Sequence, residues 1–142
     1  MISIIVNYWA VLIAVVVTQA LGAFWYSNVA FGKVWNKDLA LSEAQAKLAK
    51  KKMGPSAAIF AAVSLLSAYT LSHIIQFSMY TLGGSAMVSG LTSALWIWLG
   101  FVMPAQIGLV LFQGKSWRFF AINTSYSLLA YLIMGAIIAY WI

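Results

Sequence analysis

The eight Lys or Arg and two Asp or Glu side chains of this 142-residue chain all fall within residues 33–52 and 115–118. Everywhere else the chain runs for twenty residues or more without a fixed charge. A water-soluble fold needs charged side chains on each element's outer face, whereas a hydrocarbon surround penalises them. The chain is 64% hydrophobic and 7% charged, against about 45–50% and about 25% in soluble domains. The fold class that follows is all-α: a polytopic membrane protein with one transmembrane domain over residues 1–142 and the lipid bilayer as its surround. At roughly 20 residues per crossing, the uncharged runs hold transmembrane helices at about 4–27, 55–80, 86–112 and 117–141. The N-terminus carries no Lys or Arg before its apolar run and no small-x-small cleavage site, so it reads as a retained span rather than a signal peptide.

The first run ends in Gly22-Ala-Phe-Trp-Tyr-Ser-Asn-Val-Ala-Phe-Gly-Lys-Val-Trp35. Trp25 and Tyr26 are amphipathic rings suited to headgroup depth, and Lys33 is the first positive charge. Gly32 permits a turn that lets Trp35 return to the interface, and a side chain there would be strained if its φ is positive. A looser copy, Phe112-Gln-Gly-Lys-Ser-Trp117, closes the third run and is followed by Arg118. Trp25, Tyr26, Lys33, Trp35, Lys115, Trp117 and Arg118 are therefore the expected interface anchors. Two exits of similar design imply two hairpins inserted the same way round.

Residues 33–54 form the polar segment, and a short helix is expected inside it. Ser42 and Gln45 have capping-box spacing, Glu43 and Lys47 are four apart, and Lys50, Lys51 and Lys52 suit the negative end of the helix dipole. Gly54-Pro55 should end that helix. The three lysines could meet anionic lipid headgroups. The plainer reading is a solvated linker whose charges only set topology. Six of the eight cations lie in this connection and two in the one before the last span, while the 82–85 turn and both ends have none. Positive charge marks the cytoplasmic side, so both termini are expected outside. The net charge of +6 is then a topology signal, and no nucleic-acid partner is expected.

Polar side chains inside the spans are the candidate ligand or pathway residues: Gln19, His73, Gln76, Gln106, Asn123 and Tyr126, with Pro104 as a kink in the third helix. Gln19, Gln106, Asn123 and Tyr126 lie two to three turns from the basic ends of their helices, hence at one depth. They would line a polar cavity or serve as interhelical hydrogen bonds, each contributing about 0.6–2 kcal/mol. His73 has no carboxylate partner at that depth, and the chain has no cysteine. No metal and no cofactor is expected, and with no nucleophile–base set or paired carboxylates the chain does not read as an enzyme.

Small residues recur every fourth position: Ala10, Ala14, Thr18 and Gly22 in the first span; Ser64, Ala68 and Ser72 in the second; Ala86, Gly90 and Ala94, then Gly100, Pro104 and Gly108, in the third. Such rows let helix backbones approach closely. Their number exceeds what one four-helix core needs, which predicts a homo-oligomer or a place in a larger membrane complex. The expected function is a non-enzymatic oligomeric or accessory module. The alternative is a small-solute or lipid permeation or binding module with a polar cavity near the cytoplasmic side.

Asn7-Tyr-Trp-Ala-Val11, Gly22-Ala-Phe-Trp-Tyr-Ser27, Phe31-Gly-Lys-Val-Trp35, Leu111-Phe-Gln-Gly-Lys-Ser-Trp117 and Asn123-Thr-Ser-Tyr126, in that order, resemble the small membrane proteins of domain-of-unknown-function family 1761. The resemblance spans nearly the whole chain and is most distinctive from Trp25 to Trp35. It implies a four-span protein of the bacterial inner membrane and brings no catalytic residues to carry over.

Overall fold

The computed structural model describes residues 4–142. The helices are α1 (Tyr8–Trp25), α2 (Gly32–Leu39), α3 (Glu43–Lys51), α4 (Met53–Leu82), α5 (Ala86–Ile97), α6 (Met103–Leu111) and α7 (Trp117–Tyr140), with a π-helical segment, Trp98–Val102, joining α5 to α6. Four helices are long and apolar enough to cross a membrane: α1, α4, the continuous rod Ala86–Leu111, and α7. This is the architecture of a multi-pass membrane protein. Its lateral surface agrees, with Trp9 at 74%, Leu66 at 65% and Phe101 at 76% exposure. In water such a belt would far exceed the few hundred Å² of contiguous apolar surface that monomers tolerate.

Local chemistry sets most helix ends. The Asn7 side chain accepts from the backbone N–H groups of Trp9 and Ala10, so α1 starts at Tyr8. Ser42 and Gln45 form the expected capping box at the head of α3. Ser85 and Ser116 cap α5 and α7 through Val88 and Phe119.

Two readings of the polar segment change. It contains α2 as well as α3, because residues 32–39 fold back onto the bundle instead of running into water. Gly54-Pro55 does not end α3. Lys52 alone separates it from α4, and Pro55 sits in the first turn of α4, where its missing N–H has no intrahelical partner to lose.

The third span is irregular where Pro104 predicted, in a particular form. Met103 N–H bonds to the Trp98 carbonyl, five residues back. Pro104 cannot donate and its ring crowds the preceding turn. Widening that turn into π geometry relieves the crowding.

The last helix is the centre of the bundle, packing against α1, α2, α4 and both halves of the third span. Val11, Val15, Leu71, Ile75, Met134 and Ile138 fill the core. Where α5 crosses α7, Gly90 and Gly135 face each other so closely that a Cβ on either would lie 2.5 Å from the other's carbonyl oxygen. Ala10, Ala14, Thr18, Ser64, Ala68, Ser72, Gly90 and Ala94 are all buried, so those small rows are used inside one chain. Gly100 and Pro104 are exposed, and a Cβ at Gly100 would meet nothing within 4 Å.

Candidate functional site

The turn after α1 is built from backbone bonds: Ser27 N–H to Phe24 O, Phe31 N–H to Trp25 O, and Gly32 N–H to Ser27 O at 2.8 Å. Gly32 does not have positive φ. It is required for a different reason, since a Cβ there would lie 2.3 Å from the Tyr26 carbonyl oxygen and 2.6 Å from the Ser27 carbonyl. The second exit uses its glycine differently. Gly114 has φ +67°, and a Cβ on it would meet nothing within 4 Å. The two Gly-Lys-x-Trp motifs share letters but not geometry.

Because Gly32 lets the chain double back, α2 lies against the start of α7 and delivers Trp35 to Asn123. Asn123 Oδ1 accepts from Tyr26 Oη at 2.8 Å and from Trp35 Nε1 at 3.1 Å. Trp25 Nε1 donates to the Ile122 carbonyl at 3.1 Å. Trp35 stacks on Phe119, with ring centroids 6.0 Å apart. Tyr26 meets Trp35 and Tyr126 edge-on, at 5.0 and 5.3 Å. Tyr126 in turn donates to the Thr18 carbonyl at 3.2 Å, in space that Gly22 leaves: a Cβ there would lie 2.9 Å from the tyrosine oxygen. Trp25, Tyr26 and Trp35 thus spend their polar atoms on the last helix.

A charged contact closes the outer edge of this clasp. Arg118 Nε donates to Asp38 Oδ2 at 2.8 Å, its Nη2 pairs with Oδ1, and Ser116 Oγ donates to Oδ2 at 3.1 Å. The Arg118 hydrogen bonds hold the Asp38 carboxyl below the usual carboxylate range, against an opposing desolvation effect. Lys115 Nζ donates to the Leu39 carbonyl, capping the C-terminal end of α2, and sits 5.5 Å from the Phe119 ring centroid. Lys33 and Trp117 are exposed.

The remaining candidates are dispersed. Gln19 Nε2 donates to Ser64 Oγ at 3.1 Å, tying α1 to α4. Gln106 Nε2 donates to Ser127 Oγ at 3.1 Å, an oxygen that also accepts from Trp98 Nε1, while Gln106 Oε1 is buried without a partner among the described residues. His73 Nδ1 donates to the Tyr69 carbonyl of its own helix at 2.9 Å. Gln76 brackets the backbone of Ile5, accepting its N–H and donating to its carbonyl, both at 3.0 Å. Asn123 and Tyr126 therefore share a cluster through Tyr26, whereas Gln19 and Gln106 each have a separate partner. Asp38, Thr18, Ser64 and Ser127 were not singled out as site residues. Only Asp38 carried a usable signal, as one of two acids amid lysines.

Residues 9–139 match the family DUF1761, proteins of unknown function. The chain belongs to DUF1761. No curated protein and no solved structure matches it. The segments that carried the resemblance include much of the clasp: Trp25, Tyr26, Gly32, Trp35, Lys115 and Asn123 all lie inside the matched DUF1761 region.

Proposed function

We propose that this DUF1761 chain is a non-enzymatic helical bundle of the bacterial cytoplasmic membrane. Its basic segment faces the cytoplasm, and it assembles with a second copy of itself through the third span. The observation that carries this reading is how the small-residue rows are used. The rows of α1 and α4 and the Gly90–Ala94 part of α5 are buried within the chain, while Gly100 and Pro104 are exposed and a Cβ at Gly100 would meet nothing within 4 Å. Against lipid, a close approach along a Gly-xxx-Pro-xxx-Gly row supplies the dispersion contacts on which helix association depends.

The chain has no cysteine of its own, so single-cysteine variants report cleanly. Gly100→Cys and Gly108→Cys should form oxidised dimers in native membranes, while Ala14→Cys, buried in the core, should not. Absence of dimers from the first two, together with monomer-only masses across a range of protein concentrations in mild detergent, overturns the assembly. Orientation is tested by impermeant thiol labelling of Ser42→Cys and Ser85→Cys in intact cells. Labelling at 85 alone is expected, and labelling at 42 alone reverses the topology.

A second reading, a small-solute or lipid binding module, draws support from the unpartnered Gln106 Oε1. Gln106→Leu, which also gives up the bond to Ser127, should then abolish ligand occupancy in a bundle that still folds.

A further inference from the structure

The second and third spans separate toward the end of the bundle that carries the basic segment. Helix α4 packs against α5 but makes no comparable contact with α6 or the π segment, which turn to α7 instead. The first ten residues of α4, 53–62, are almost wholly exposed. Between the diverging helices lies a groove of about 380 Å³, walled by Val63, Leu66, Thr70 and Ile74 on one side and Ile97 and Phe101 on the other. Its volume falls within the range of small-molecule sites, about 300–1,000 Å³, and it opens sideways where the protein meets hydrocarbon.

From Val63 to Ile74 the groove runs about 16 Å along the helix axis and is centred on the middle of α4, which puts it about the midplane of a hydrocarbon core about 30 Å thick. Its near end lies about 15 Å from Met53 at the same rise per residue. Lys50, Lys51 and Lys52 stand immediately before Met53, exposed and without a carboxylate partner among the described residues. Helix α4 is 30 residues long, about 45 Å, so it covers the headgroup layers as well as the core. The lysines therefore lie at headgroup level when the groove lies among acyl chains.

We propose that this groove receives the terminal part of one acyl chain of an anionic phospholipid whose headgroup is bound by Lys50, Lys51 and Lys52. The headgroup sits at the junction of α3 and α4. The chain follows the exposed face of residues 53–62 and ends between α4 and the π segment. The π segment serves the site by steering the lower half of the third span away from α4. Charge complementarity selects the anionic lipid, because surface lysines attract acidic headgroups and leave zwitterionic ones largely unheld.

The test is native mass spectrometry of the full chain in mild detergent, titrated with phosphatidylglycerol or with phosphatidylcholine of the same acyl chains. One tightly retained phosphatidylglycerol per chain is expected, preferred at least about fivefold over phosphatidylcholine, a modest share of what three surface lysines can supply. Ser67→Phe, placed in the groove wall, should abolish retention of both lipids. Thr70→Leu, an exposed and milder filling of the same wall, should weaken retention of both. Replacing Lys50, Lys51 and Lys52 together by Gln should remove the preference while leaving chain retention. Equal retention of the two lipids by the native chain overturns the headgroup assignment. Unchanged retention in a folded Ser67→Phe or Thr70→Leu variant overturns the groove assignment, as does a native chain that retains neither lipid.

Discussion

Gly32→Ala is the smallest substitution with the largest expected effect. The added Cβ would stand 2.3 Å from the Tyr26 carbonyl oxygen, more than 1 Å inside an ordinary contact of roughly 3.5 Å. Its other two neighbours, the Ser27 carbonyl carbon and oxygen at 2.6 Å, are also backbone, so no side chain can swing away to absorb it. The start of α2 must move. That costs about 1–3 kcal/mol as overpacking. The movement also carries Trp35 away from Asn123 Oδ1, 3.1 Å distant, losing a hydrogen bond worth about 0.5–1.5 kcal/mol. The sum is about 1.5–4.5 kcal/mol. Equilibrium unfolding by denaturing detergent titrated into mild-detergent micelles measures it. Lys33→Ala, at an exposed neighbour, should change stability by less than about 0.5 kcal/mol. Gly54→Ala, in helix α4 with nothing within 4 Å of its Cβ, should be neutral or stabilising by up to about 1 kcal/mol. If Gly32→Ala unfolds within 0.5 kcal/mol of native, the close-approach argument is wrong. If Lys33→Ala is the more damaging, Lys33 has a partner that the clasp does not explain.

Asn123→Leu strips the shared acceptor from Tyr26 and Trp35 and should cost about 1–3 kcal/mol, with Asn123→Asp, which keeps an oxygen at that position, costing less; the same detergent titration compares them. Gly90→Val drives a side chain into the Gly135 carbonyl and should destabilise the monomer by about 3 kcal/mol, whereas Gly100→Val, above open space, should leave unfolding nearly unchanged and reduce only cross-linked dimer. Because its folded-state pKa is depressed, Asp38 contributes stability that is fully present above its unfolded value of about 3.9 and is lost as pH falls through the lower folded value. Hydrogen exchange of residues 32–39, corrected for intrinsic rates, should be flat from pH 7 to about 5 and accelerate only below about 4, while Asp38→Asn should show fast exchange throughout; acceleration beginning near pH 6 refutes the assignment to Asp38.

How much could be read without coordinates follows from the range of each interaction. The cost of a charge in hydrocarbon acts on every residue separately, so the positions of ten charged side chains were enough to place four helices long and apolar enough to cross a membrane. Helix caps act over three residues, and the Ser42–Gln45 box was legible for that reason. Small residues at every fourth position marked close approach correctly, but not which neighbour would come close. Gly135, the partner of Gly90, belongs to no such row, since Tyr131 stands four positions before it.

The candidate site depended on tertiary structure almost entirely. Tyr26 and Asn123 are 97 residues apart in sequence, Asp38 and Arg118 are 80 apart, and Gln76 reaches Ile5 across 71. No periodicity links such positions. Equal depth on three helices left a shared polar cavity or separate interhelical hydrogen bonds as readings of Gln19, Gln106, Asn123 and Tyr126, because depth is one coordinate of three, and rotation about each helix axis sent Gln19 to Ser64 and Gln106 to Ser127. Gly32 shows the same division. Its sequence context said that the chain turns there, while the physical reason, a carbonyl 2.3 Å from the missing Cβ rather than a left-handed φ, exists only once α2 has folded back onto α7.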